Sequence, residues 1–171
     1  MKNLTLGLCL VVLTLLSACG YHLPGRGGNL PDDIQSIVVV PFINKTTEPF
    51  IENQLTNEIR DQFSRRRTLD VVASEDLADA IMSGVITSYR SSSVTYDEDD
   101  DITEYRVTMT VDAKLVRTNG EDVIWQGVVS WHDEFFASDD RAEQDYRESE
   151  VQDDVSRRLA QEVYNRLTDN F

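Results

Sequence analysis

One thiol stands where a covalent reaction is expected. In Leu16-Ser17-Ala18-Cys19-Gly20, two small side chains precede Cys19 and a leucine lies three residues upstream of it, the arrangement of a bacterial lipobox. A signal peptidase needs small groups beside the scissile bond, and the Cys19 sulfur takes a diacylglyceryl group before cleavage. Ahead of it, Lys2 supplies a positive end. Leu4 to Leu16 supply an apolar run shorter than the roughly 18 to 20 residues of a membrane-spanning helix. Residues 1–18 therefore read as a lipoprotein signal peptide, and the mature chain is expected to begin at Cys19, tethered to a membrane by its acyl chains. A single fatty chain anchors only marginally, whereas a lipoprotein cysteine carries more than one and anchors stably. Gly20, where an aspartate would hold such a protein in the inner membrane, points to the periplasmic side of the outer membrane. Of the two cysteines, Cys9 leaves with the signal peptide and Cys19 is acylated, so no intrachain disulfide is expected even in an oxidising compartment.

The remaining chemistry-bearing residues do not assemble into a catalyst. Ser130-Trp131-His132-Asp133 contains the residue types of a hydrolytic triad. Along a strand, however, Ser130 and His132 point one way and Asp133 the other. His22 and His132 cannot be placed together, and neither H-E-x-x-H nor Cys-x-x-Cys occurs. Asp97-Glu98-Asp99-Asp100-Asp101 invites a calcium reading, but an EF-hand loop would need Gly near Ile102 and Glu near Thr108. It reads instead as a solvated hairpin tip. Gly25, Gly27 and Gly28 follow no strand and precede no Gly-Lys-Ser/Thr, so they do not cradle phosphate. Arg65, Arg66 and Arg67 either contact a phosphate or complement the dipole of a helix ending there. A net charge of −15 argues against nucleic acid as a partner. The expectation is a binding or structural protein, not an enzyme, with no cofactor and no metal.

These residues must be positioned by a chain that divides into a lipidated tether, residues 19–32, and a single domain, residues 33–171. Ile34 to Phe42 is a β-branched run without strict alternation, as in a strand covered on both faces, and Pro41 ends it. Thr47 is the expected N-cap of a helix whose stripe is Ile51, Leu55, Ile59 and Phe63, ending near Arg67. A short strand at Thr68 to Val72 and one helical turn at Ser74 to Leu77 follow. Ala80 to Tyr96 is then a long strand containing Gly84. From Glu104 to Arg117, apolar Tyr105, Val107, Met109, Val111, Ala113 and Leu115 alternate with polar neighbours, and Asn119-Gly120 supplies a tight turn. Val123, Trp125, Gly127, Val129, Trp131 and Phe135 form the apolar face of the returning strand, with both tryptophans expected in the core. Ala137 to Asp145 is a loop or frayed helix start, and Val151, Val155, Leu159, Val163 and Leu167 stripe a long C-terminal helix. Two singly striped helices need one sheet face to bury them. The expected fold is an α+β two-layer sandwich: a small, mainly antiparallel sheet with two amphipathic helices packed on one face.

Cys19-Gly20-Tyr21-His22-Leu23 resembles the mature start of the lipopolysaccharide-assembly lipoproteins, the LptE family. The segment from Val40 to Pro49 (Val-Pro-Phe-Ile-Asn-Lys-Thr-Thr-Glu-Pro), Ala78-Asp79-Ala80, Gly84-Val85-Ile86 and Tyr105 to Val111 are also similar to it. Its P-F-x-N-x-T piece recurs in other envelope lipoproteins, among them activators of cell-wall synthases and curli-secretion components. The lipobox, Gly-Tyr after the cysteine and the element order favour the first family. The resemblance implies a protein without chemistry of its own. It would plug and help assemble a large outer-membrane β-barrel, the translocon LptD, and bind lipopolysaccharide on its way to the outer leaflet.

Lipopolysaccharide is rich in phosphate and this chain is acidic, so direct contact requires local cations that outweigh the general field. Arg106 and Lys114 share one strand face, and Arg90 and Arg117 sit near strand ends. These four are the candidate lipopolysaccharide-binding residues. Glu104 and Asp112 alternate with Arg106 and Lys114, so a cross-strand salt-bridge ladder remains an equal reading of them. A cell-wall synthase activator or a subunit of a secretion channel stays open as an alternative function.

Overall fold

A computed structural model describes residues 30–118, 120 and 122–168. The signal peptide, Cys19, His22, nearly all of the tether and Asn119 of the expected turn lie outside the described residues. The sheet is built on two long hairpins that share their middle strand. β1 (Ser36–Val39), β2 (Ile43–Asn44) and β3 (Asp70–Val71) are short, whereas β4 (Ala80–Tyr96), β5 (Ile102–Arg117) and β6 (Val123–Phe136) are long. β5 pairs antiparallel with β4 on one side and with β6 on the other. β1 and then β2 lie parallel along the outer side of β4, against Ala80–Met82 and Val85–Ile86, and β3 extends β1 in parallel. The order is β3-β1-β4-β5-β6, with β2 beside β4.

Between β1 and β2 the chain carries one residue more than β4 does, and Pro41, which has no N–H to donate, falls in that interruption. Phe42 turns inward there and its amide donates to Thr56 Oγ1 at 3.0 Å. Its ring lies so close over Gly84 that a Cβ would come within 2.3 Å of Phe42 Cε1 and 2.9 Å of the Asp112 carbonyl oxygen. Any side chain at this position would displace the ring or the strand.

Two helices cover one face of the sheet. α1 (Ile51–Arg66) buries Ile51, Leu55, Ile59 and Phe63, and α2 (Arg141–Thr168) buries Val155, Leu159, Val163 and Leu167. Both stripes join Ile37, Met82, Ile86, Val107, Met109, Val111 and Leu115 of the strands in one core. Phe63 and Tyr164 meet edge to face at 5.1 Å and fasten the helices to each other. The fold is the expected α+β two-layer sandwich, and the alternation along β5 is realised: Val107 through Leu115 at odd positions are fully buried.

Four local expectations need correction. Thr47 is not the cap of α1. The helix starts after Phe50, which adopts a left-handed φ of 66° and is 74% exposed, and no side chain caps it. Asn44 organises this loop instead, donating to the Glu48 carbonyl at 2.6 Å and to Glu52 Oε2 at 3.0 Å while accepting the Thr46 N–H. At the other end, α2 begins earlier than its apolar stripe, because Asp140 Oδ1 accepts the N–H groups of Ala142 and Glu143 at 2.8 and 3.1 Å. In β6 the register shifts between Leu115↔Trp125 and Val116↔Val123. That bulge turns Val123 to the opposite face, 55% exposed, and lets Ile124 pack on the core. Trp125 packs on the core as expected, but Trp131, on the edge strand, is 37% exposed.

Candidate functional site

Among the described residues no helix covers the second face of the sheet, and its chemistry changes along its length. At the end where β1 and β2 flank β4, one row runs Ile43–Val85–Asp112–Val128 and the next contains Ser83, Lys114 and Gln126. Ile43 and Val128 are exposed here, and Lys114 lines a shallow cavity of about 360 Å³ with Val40, Pro41, Ile43, Ser83, Val85, Asp112 and Gln126. Gln126 Nε2 donates to Asp112 Oδ1 at 3.2 Å, which leaves Lys114 without a carboxylate partner among the described residues.

Toward the hairpin tip the same face turns polar for three rows before exposed Phe136, opposite Glu104. Rows pair Thr110 with Ser130, Thr108 with His132 and Arg106 with Glu134, and on the β4 side Arg90 stands opposite Thr108 and Ser92 opposite Arg106. Arg90 and Arg106 are therefore diagonal neighbours on one face. Arg106 Nε and Nη2 both reach Glu134 Oε1, at 2.8 and 2.5 Å. Among the described residues no carboxylate pairs with Arg90. The expected ladder thus has one rung, to Glu134; Glu104 bonds Thr95 Oγ1 at 2.8 Å and Asp112 bonds Gln126.

The four candidate cations do not form one cluster. Lys114 shares a face with Arg106, but strand rise separates them by about 25 Å. Arg117 belongs to neither group: it pairs with Asp33 at the base of the sheet, beside Asp79. The hydrogen bond from Arg117 holds the Asp33 carboxyl below its ordinary range, and the pair raises Arg117 in turn. Asp79 is held low first by the Ser36 hydroxyl, then by the Gln35 and Ser36 amides, at 2.8, 3.0 and 2.9 Å. This carboxylate staples the start of β1 to the approach to β4, a role no spacing signal announced because its partners lie far back in the chain.

The arginines after α1's last buried position have local partners. Arg65 pairs with Asp61 at 3.2 Å, Arg66 stacks over Tyr164 with 4.8 Å to the ring centroid, and Arg67 closes the helix through its amide to Phe63 O. Ser130 and His132 lie on the open face, while the Asp133 carboxylate accepts the Glu134 N–H at 2.9 Å. In the acidic tip, Asp97 Oδ1 accepts the amides of Asp99 and Asp101 at 2.9 and 3.0 Å, shaping the turn. Among the described residues no group of three or more His, Cys, Asp or Glu side chains converges as a metal site, and no helix is long and apolar enough to cross a membrane. A further cavity of about 660 Å³ lies between the end of β6 and α2. Its two arginines are tied to neighbours: Arg147 to Glu143 and Arg157 to Asp154, both at 2.6 Å.

The sequence model of the LptE family, described as lipopolysaccharide-assembly, matches residues 34–167 of this chain. No curated protein sequence is matched. Among solved structures the chain is similar to rare lipoprotein B of Shewanella oneidensis, with a TM-score of 0.52 at 11% identity over 75% of this chain and 91% of that one. It is similar to a lipoprotein B of Nitrosomonas europaea, with 0.56 at 15% identity over 84% and 87%. It is also similar to PelC of Paraburkholderia phytofirmans, a dodecamer, with 0.56 at 14% identity over 88% and 96%. At these identities the likenesses establish the fold.

Proposed function

The chain belongs to the LptE lipopolysaccharide-assembly family, and from that premise we propose that it is an outer-membrane lipoprotein, acylated at Cys19, that plugs a translocon barrel of the LptD kind. In that role it assists the barrel's assembly and helps deliver lipopolysaccharide to the outer leaflet. The observation that carries this reading is the division between the two sheet faces. One is sealed by both helices, while the other presents hydroxyls and the cations Arg90 and Arg106, with no element among the described residues over them. A polar face of this kind suits a wet barrel interior and anionic headgroups.

The test is a mild-detergent pull-down of the full-length lipoprotein from its native envelope. A large β-barrel in stoichiometric amount supports the plug; a cell-wall synthase, or the lipoprotein alone as a ring, overturns it. Mass spectrometry of the same material reads the acylation, and Cys19→Ala should leave the protein in the soluble periplasmic fraction. For lipid contact, Arg90→Glu with Arg106→Glu should weaken lipopolysaccharide binding about tenfold or more, in line with loss of charge-assisted hydrogen bonds. Lys114→Glu and Arg117→Glu measure whether the rest of the candidate set takes part.

A further inference from the structure

The two long edges of the sheet are finished differently. On β6, side chains occupy backbone groups at intervals along the outer edge. Arg166 donates to the Val128 carbonyl at 3.1 Å, Asp133 accepts the Glu134 N–H at 2.9 Å, and Arg147 donates to the Phe136 carbonyl at 2.9 Å. Edges closed in this way do not recruit further strands. On the opposite side, β3 is only two residues long and β2 ends at Asn44. The Lys45 amide makes the last backbone bond to that side of β4, at Ile86 O, 3.0 Å. Beyond it β4 continues to Tyr96, and among the described residues no strand lies beside it on that side and no side chain bonds its outer backbone.

From Ser88↔Thr110 to Ser93↔Tyr105 this segment pairs with β5 without a register shift, with bulges on either side of it. It offers a regular edge of roughly 20 Å at strand rise. Its side chains, Ser88, Ser91, Ser92 and Ser93 beside Tyr89 and Arg90, are mostly small, and Arg90 through Ser92 are exposed. We propose that Ser88–Ser93 of β4 is a strand-pairing edge that takes an extended segment of the partner barrel as one more strand, packed beside its small serine side chains. This rests on the barrel-plug reading above and names the surface through which the partner is held. A closed barrel wall has no free edge of its own, so the added strand comes from a segment of the partner outside that wall. A second copy of this chain is disfavoured as occupant, since each carries a net charge of −15 and pairing would bring two such fields together.

The experiment compares amide hydrogen exchange of the acylated full-length protein, free and in its co-purified barrel complex, in the same detergent. Alternate amides of Ser88–Ser93 face β5 and are protected in both states; the others face outward. Those outward amides should exchange at least about a hundredfold more slowly in the complex, as for newly formed ladder bonds, with Ser130–Glu134 of β6 unchanged. A stable complex in which Ser88–Ser93 exchange as in the free protein overturns the edge assignment and leaves the plug standing. Protection confined to β6 overturns it as well. If no barrel co-purifies, the plug reading falls and this inference falls with it.

Discussion

The two faces of one sheet are held to opposite standards. On the covered face Met82, Ile86, Val107, Met109, Val111 and Leu115 are fully buried against both helices, and each excludes water from its neighbours. One to four residues away on the same strands, Arg90, Arg106, Thr108 and Lys114 point out from the sheet. Burial at about 25 cal/mol per Å² makes the first set the source of the fold. The second set makes exposed hydrogen bonds and one exposed ion pair, whose net contributions are small. A face that contributes little to folding is free to be spent on recognition, and this division gives the open face its interest.

The sharpest way to test the division is to damage the covered face. Phe63 has no exposure and packs on Tyr164, so Phe63→Ala leaves a cavity between the helices and should cost about 3–5 kcal/mol in urea unfolding. A cost below about 1 kcal/mol would mean that the helices are not locked together through this ring. A smaller loss probes the place where the chain crosses from β1 to β2. Thr56, 2% exposed, accepts the Phe42 amide and donates to Glu52 O. Thr56→Val keeps the shape but strands that amide, at an expected cost of about 1–3 kcal/mol.

Sequence legibility follows the same division. The alternation in β5 could be read because its two faces meet different surroundings, and the helix stripes could be read because each helix has only one buried side. The edge strand β6 was less legible. The bulge at Ile124 reverses Val123, and nothing in a run of apolar residues marks where one residue is to be skipped. Thr47 looked like a cap because caps are local signals, whereas Asn44 wins by bonding forward to Glu48 and Glu52. Of the candidate cations, alternation placed Arg106 and Lys114 on a common face. The neighbour of Arg106 is nonetheless Arg90, which only the cross-strand register reveals, and the partner of Arg117 is Asp33, far away in sequence.

A pH titration separates the base of the sheet from the open face. Asp79 is held below its usual value, so the stability it confers is fully present above the unfolded carboxylate value of about 3.9 and is lost as pH falls through the lower folded value. Asp79→Asn should therefore narrow the difference between urea midpoints measured near neutrality and at about pH 3. Asp33 is depressed in the same direction by Arg117, so some acid sensitivity should persist in the variant. Identical pH profiles for the two proteins would remove Asp79 as the staple.

The smallest expected effect bears most directly on function. Arg106 and Glu134 are 43% and 40% exposed, and both guanidinium nitrogens converge on one carboxylate oxygen without forming a two-oxygen fork. A double-mutant cycle with Arg106→Ala and Glu134→Ala should return a coupling of about 0.2–1 kcal/mol. A value in that range means that Arg106 is released from its partner at little cost, within reach of what one phosphate oxygen could supply, so the open face can exchange an internal carboxylate for an external anion. A coupling well above it would make the pair part of the scaffold. Anion recognition on this face would then rest on Arg90, which has no carboxylate partner to give up among the described residues.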